Sequence, residues 1–264
     1  MKNLLFFKIL RLSLPPNLSS RMQRTISLFF ISIGFSFFIS CGSEPTSDTW
    51  EQSRQDSTQT NTSNKETTKE NAADKSLTDL IADYDPPNRE LWQKPQLVIE
   101  KMGDLSNKTV ADIGSGSGSF ARRLTQVAKK VIAIEIDPRF VEYMDSIKRV
   151  ELSPTYQRRF ETRLATTTDS KIKTNEADII IMVNTYLYVQ DRKAYLKHLL
   201  DRLPVGGQLF IVDFKKKSIP LRNPSQRFRV PLFEVEKELK QIGFKNVVSD
   251  DRALDYQYIV IAEK

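Results

Sequence analysis

The feature that most constrains this chain is an eleven-residue run, Val110-Ala-Asp-Ile-Gly-Ser-Gly-Ser-Gly-Ser-Phe120. Gly114, Gly116 and Gly118 recur at every second position. Three glycines so close together disfavour both helix and strand interiors, so the run reads as a loop. Before it lies a short apolar strand, 108–113. After it, Phe120 to Ala128 has helical spacing. A strand, a glycine loop and a helix in succession belong to parallel α/β sheets, whose ligands bind at the carboxyl ends of strands. Glycines there let the backbone approach a ligand and leave its N–H groups free to contact it.

Two acids specify the ligand further. Asp112 stands two residues before Gly114, where a carboxylate suits a cationic group and repels pyrophosphate. Glu135 lies 21 residues after Gly114 and ends the next β-branched run, Val131 to Glu135. An acid at that place can accept hydrogen bonds from both ribose hydroxyls. The dinucleotide fingerprint G-x-G-x-x-G fails, because Ser119 occupies its last position. The site should therefore hold a ribose and a positive charge rather than two phosphates, which argues against a nicotinamide oxidoreductase. The purely structural alternative is that both acids cap the loop and the following helix.

The pattern continues to alternate. Residues 77–84 and 89–102 have helical spacing, with Leu91, Val98 and Ile99 on one stripe and Trp92 beside it. Pro138 opens a helix over 139–147. Phe160 to Ala165 and Ala177 to Val183 read as strands, 191–203 as a helix, and Gln208 to Phe214 as a strand. Val230 to Ile242 forms a helix ending at Gly243. Val247-Val248 and Tyr256 to Ala262 close the chain as two strands with no helix between them, a terminal antiparallel hairpin. The fold class is α/β with a mostly parallel sheet.

Composition divides the 264 residues into three parts: 1–41, 42–75 and 76–264. The first holds seven of the 15 Phe and five basic residues with no acid. Ile26 to Ile39 runs 14 residues without a charge, shorter than a membrane span needs and suited to a signal-peptide core behind Arg21 and Arg24. It ends in Phe38-Ile-Ser-Cys-Gly42, which resembles a bacterial lipobox. The resemblance implies lipidation of Cys41, the only Cys, and a membrane-anchored lipoprotein of the cell envelope. An ordinary secretory signal or an uncleaved anchor is the alternative, and the domain is cytoplasmic if the leader does not function. Met22 is an alternative start. Residues 42–75 are polar apart from Trp50 and read as a flexible tether. One Cys and one His exclude disulfide frameworks, Cys-based zinc sites and paired-imidazole sites, so no metal is expected. The net charge of +7 owes much to the leader and is weak evidence for nucleic-acid binding.

The motifs D-I-G-S-G-S-G and V-I-A-I-E-I-D-P resemble those of class I S-adenosylmethionine-dependent methyltransferases, over residues 88–264. Residues 177–186, Leu203-Pro-Val-Gly-Gly207 and Gln208 to Phe214 agree, and Arg89-Glu-Leu-Trp92-Gln93-Lys-Pro95 resembles the opening of small bacterial members. The resemblance implies a Rossmann-like sandwich with a seven-stranded sheet of order 3-2-1-4-5-7-6 and strand seven antiparallel. It implies S-adenosyl-L-methionine as cofactor. Gly114, Ser115, Gly116 and Gly118 would line its methionine portion, Asp112 would face its amino group, and Glu135 would hold the ribose. Asp169, with Thr168 as alternative, would accept from the adenine amino group, and Asn184 would border the methyl.

A sulfonium methyl is already activated, so alignment and exclusion of water supply most of the catalysis. No general base stands out. Tyr186 and Tyr188 are substrate-side candidates, able to hold a ring or a cation, or to pack beneath the substrate loop. His198 reads as a surface residue of its helix. Lys215, Lys216, Lys217, Arg222, Arg227 and Arg229 follow the fifth strand and could meet an acidic substrate, an anionic membrane or only solvent. The expected function is methyl transfer to a small-molecule acceptor, with no nucleic-acid partner. A lipoprotein that holds an adenosyl ligand without turnover is the alternative.

Overall fold

The computed structural model describes residues 75–221 and 223–264. The expected leader with Cys41, the tether apart from Lys75, and Arg222 lie outside the described residues.

Seven strands form one sheet: β1 (Thr109–Ile113), β2 (Lys130–Glu135), β3 (Phe160–Leu164), β4 (Ile179–Val183), β5 (Gln208–Phe214), β6 (Lys245–Asp250) and β7 (Gln257–Glu263). Their order is β3-β2-β1-β4-β5-β7-β6, as the resemblance implied. β1 to β5 run parallel, and β7 is antiparallel to both neighbours. Eight helices accompany them: α1 (Leu77–Tyr84), α2 (Arg89–Gln93), α3 (Pro95–Glu100), α4 (Ser119–Val127), α5 (Pro138–Glu151), α6 (Pro154–Arg159), α7 (Arg192–Arg202) and α8 (Leu232–Ile242).

The central strand β4 is apolar throughout, and β1, β2 and β5 are largely so, because both faces are covered. Along β4, Ile180 and Met182 enter one core with Leu196 and Leu199 of α7 and Val235 and Leu239 of α8. Ile179, Ile181 and Val183 enter the other, with Phe120 and Leu124 of α4 and Met144 of α5. Each such side chain contributes about 1.5–3 kcal/mol by leaving water. Strand period two thus sorts one continuous apolar run into two cores.

Local signals fix the helix ends. The Ser76 hydroxyl accepts from the Asp79 amide at 3.2 Å, and the Asp191 carboxylate from the Ala194 amide at 3.0 Å. The single helix expected over 89–102 is two, because Pro95 cannot continue a helical hydrogen-bond ladder. Lys94 breaks the run in the left-handed region at φ 48°. The short helix α6 and the 3-10 turns at 186–188 and 226–228 were not legible in the pattern.

The parallel strands β1, β2 and β4 end on one edge of the sheet. Order reverses between β1 and β4, and a crevice opens at such a switch point.

Candidate functional site

Gly114 follows β1 directly. Its amide and that of Ser115 donate to the Ile134 carbonyl, at 2.8 and 3.1 Å, which binds the loop to the end of β2. The Ser115 hydroxyl donates to the Asp112 carbonyl at 2.8 Å. Gly114, Gly116 and Gly118 have φ of 74°, 53° and 76°, where side chains with a Cβ are strained. A Cβ on Gly114 would overlap Thr185, which arrives from the end of β4. The cradle therefore closes between β1 and β4 only because this position lacks a side chain.

The two acids stand where the sequence placed them. Glu135 accepts from the Gly116 amide at 2.9 Å through one oxygen, and from the Ile136 and Asp137 amides at 2.6 and 3.2 Å through the other. Asp112 is 2 % exposed, and its Oδ2 is buried without a hydrogen-bond partner. Burial pushes its pKa up to about 7. A buried acceptor without a donor is costly, and native folds rarely leave one without reason.

The segment before the sheet adds residues that sequence reasoning did not assign. Arg89 lies near enough to Asp112 to counter the rise of its pKa. It donates through Nε to Gln93 Oε1 at 2.5 Å, through a terminal nitrogen to the Tyr84 carbonyl, also at 2.5 Å, and lies 3.7 Å from Asp85. Gln93 is 1 % exposed and its Nε2 has no partner. Gln93 thus touches Arg89 while its N–H2 stays unpartnered, and Asp112, within electrostatic reach of the same arginine, keeps one carboxylate oxygen unpartnered. That set matches the two ends of an α-amino acid: ammonium to Asp112, carboxylate to Arg89 and Gln93. The signal lies in Arg89-x-x-Trp92-Gln93, the segment that resembles the opening of small bacterial methyltransferases.

α1 covers the loop. Tyr84 stacks on Phe140 with centroids 5.5 Å apart, and a Cβ on Gly116 would come within 3.7 Å of the Tyr84 ring. The Ser117 hydroxyl donates to Asp85 at 3.2 Å. Two open grooves lie elsewhere, beside β6 and Lys101 and between α2, α3 and Arg123; neither is lined by Asp112 or Glu135.

Beyond β4, Asn184 takes the left-handed region at φ 57°, and its Oδ1 accepts from Gln257 Nε2. Tyr186 differs from its expected substrate side. It is fully buried, and its hydroxyl donates to Glu238, which Arg192 grips with two nitrogens. The ring points between α7 and α8 because that buried carboxylate supplies its partner. Tyr188 is 64 % exposed and near Tyr84 and Asp213, at the mouth. Asp213, fully buried, accepts from the Leu187 and Phe214 amides at 3.0 and 2.8 Å and fixes the turn after β4.

Asp169 stands in the loop after β3. Its carboxylate takes the Lys171 amide and ammonium, at 2.8 and 2.7 Å, and faces His198 at 3.7 Å. His198 is half-buried rather than a surface residue, and its Nε2 pairs with the Ser170 hydroxyl at 2.9 Å. Of the basic cluster, Arg229 is buried and donates to the carbonyls of Pro224, Lys217 and Leu221. Lys215 donates to the Leu254 carbonyl. Both hold the loop together.

Residues 111–211 match the family model of a methyltransferase domain. The chain resembles the crystal structure of a SAM dependent methyltransferase from Aquifex aeolicus, with TM-score 0.61 and 23% identity over 71% of this chain and 98% of that one. The fold is that of the class I methyltransferases. The Haemonchus contortus phosphoethanolamine N-methyltransferase 2, solved with phosphomonomethylethanolamine and S-adenosylhomocysteine, shares it at TM-score 0.54 and 12% identity, over 72% of this chain and 60% of that one. Phosphoethanolamine N-methyltransferase 1 of Arabidopsis thaliana is 24% identical over 176 residues, 62% of this chain and 35% of the relative. The chain spans less than half the length of the curated relatives it matches. Within this fold, the glycine cradle and the acids at the ends of β1 and β2 stand together on the carboxyl edge of the sheet.

Proposed function

We propose that this chain is an S-adenosylmethionine-dependent methyltransferase acting on a small-molecule acceptor. The observation that carries the proposal is the unpartnered Asp112 Oδ2, buried at the end of β1 beside a glycine cradle, within electrostatic reach of Arg89. The ligand that fits has an α-amino acid at one end and a ribose at the other. Asp112 and Arg89 with Gln93 bind the former; Glu135, held in place by three amides, receives the latter. When bound, the cofactor supplies an electrophilic methyl group. The residues of this chain orient it and keep water out: Tyr84 covers the loop, and Asn184 and Tyr188 border the side from which an acceptor arrives. No residue is assigned as a general base.

The leader supports a second part of the proposal. The uncharged run before Cys41 and the polar stretch after it fit a lipidated chain tethered to the cell envelope. Metabolic labelling with a fatty acid, with Cys41→Ser as control, tests it.

A binding protein without turnover would share the cofactor site. The two are separated by incubating the full chain with methyl-labelled S-adenosylmethionine and fractionated small-molecule extracts. Labelled product that disappears in Asp112→Ala supports transfer. Ligand binding with no labelled product in any fraction contradicts it.

A further inference from the structure

Tyr84, Tyr188, Phe228 and Phe233 are the exposed aromatic residues among those described. All four lie on the carboxyl edge of the sheet. Tyr84 ends α1 above the glycine loop, Tyr188 follows β4, and Phe228 and Phe233 follow β5. Leu91, 76 % exposed, joins them beside Trp92, whose ring packs 5.7 Å from Phe214 at the end of β5. Away from this edge, exposed large apolar residues such as Val127, Val150, Val205 and Val248 are aliphatic.

Charge accompanies the aromatic rim. Residues 214–233 contain six cations and no acid. Lys215 and Arg229 are committed to backbone carbonyls. Lys216, Lys217 and Arg227 are exposed, with Arg227 lying 4.6 Å over the Phe228 ring. Most nearby acids are engaged: Asp83 pairs with Lys75, Asp85 with Arg89, Glu90 with Arg123, Asp250 with Lys101 and Asp255 with Lys94, Glu234 is half-buried, and Asp251 is exposed.

We propose that this rim docks on an anionic lipid bilayer. Exposed rings and an aliphatic side chain enter the interface, and three cations meet the headgroups. A nucleic acid suits the rim less well. Three cations are few for a phosphate backbone, and an aliphatic side chain offers no stacking face. Docking this way turns the mouth of the crevice toward the membrane, so that acceptors are taken from the bilayer surface. The surface is distinct from the leader, and contact with lipid is measurable without the cofactor.

The test uses the full chain carrying Cys41→Ser, labelled with an environment-sensitive dye at Phe228→Cys or, separately, at Val150→Cys. Vesicles are phosphatidylcholine with or without phosphatidylglycerol, some carrying a nitroxide quencher at the headgroup depth. A blue shift and quenching at position 228, absent at 150 and dependent on phosphatidylglycerol, are expected. Lys216→Ser with Lys217→Ser should weaken the response about 30-fold in lipid concentration. No response at 228, or equal responses at both positions, overturns the proposal, because the leader alone would then hold the chain. Saturable binding of single-stranded RNA at 228 with no lipid response also overturns it.

Discussion

Glu135 accepts a hydrogen bond from the Gly116 amide at 2.9 Å, joining the end of β2 to the middle of the glycine loop. The same carboxylate takes two further amides from residues 136 and 137. It is thus positioned before any ligand arrives, and the loop conformation depends on it. Glu135→Ala should weaken binding of S-adenosylhomocysteine about 10- to 100-fold, the worth of one or two hydrogen bonds to a charged group. Calorimetry of the full chain checks this, and an affinity equal to that of the parent would remove Glu135 from the site.

Gly114→Ala should destabilise the fold. The left-handed backbone costs about 1–2 kcal/mol for a residue with a Cβ, and the added methyl overlaps Thr185. Thr185→Ala in the same chain should recover only part of the loss, since the backbone strain remains. Denaturant melts of the single and double variants measure it; full recovery would mean that φ is not strained.

The pH dependence has opposite signs for folding and for binding. Asp112 and Asp213 rise from 3.8 to about 7 because they are buried. Between those values the folded chain holds protons that the unfolded chain has lost. Their contribution to stability therefore falls as pH rises from about 4 to about 7, then levels. Glu176 and Asp250, lowered to about 2 by Arg163 and Lys101, act the other way: their contribution is present above the ordinary carboxylate range and is lost as pH falls toward 2. Asp213→Asn should flatten the upper slope. Binding of a cationic amino group needs ionised Asp112, so affinity for S-adenosylmethionine should increase between about pH 6 and about 8. Asp112→Asn should abolish that increase. A pH profile unchanged by Asp112→Asn would show that another group meets the ammonium.

Tyr186→Phe should lower stability by about 1.5–3 kcal/mol, because its hydroxyl donates to the charged Glu238. Cofactor affinity should stay within about two-fold of the parent, well under one such bond. A large loss of affinity without a loss of stability would return Tyr186 to the substrate side.

The strand order followed from the family resemblance, whereas the strands themselves and the glycine loop were legible because they rest on local chemistry. β-branched runs mark buried strands, and glycines mark positive φ. Arg89 and Gln93 escaped assignment because the proposed role depends on tertiary placement of α2, which no spacing encodes. Tyr186 and Tyr188 had two readings each, and only the partner Glu238, 52 residues from Tyr186, decides that Tyr186 is the one that packs inside. Asp169 was legible as an acid after β3, but its pairing with the neighbouring Lys171 was not.

The central claim is tested most directly by calorimetric titration of the full chain with S-adenosylmethionine, S-adenosylhomocysteine and NAD. The site described here predicts micromolar binding of both adenosyl ligands, none of NAD, and loss of binding in Asp112→Ala. Failure of both adenosyl ligands to bind a folded chain, or binding of NAD in their place, would contradict it.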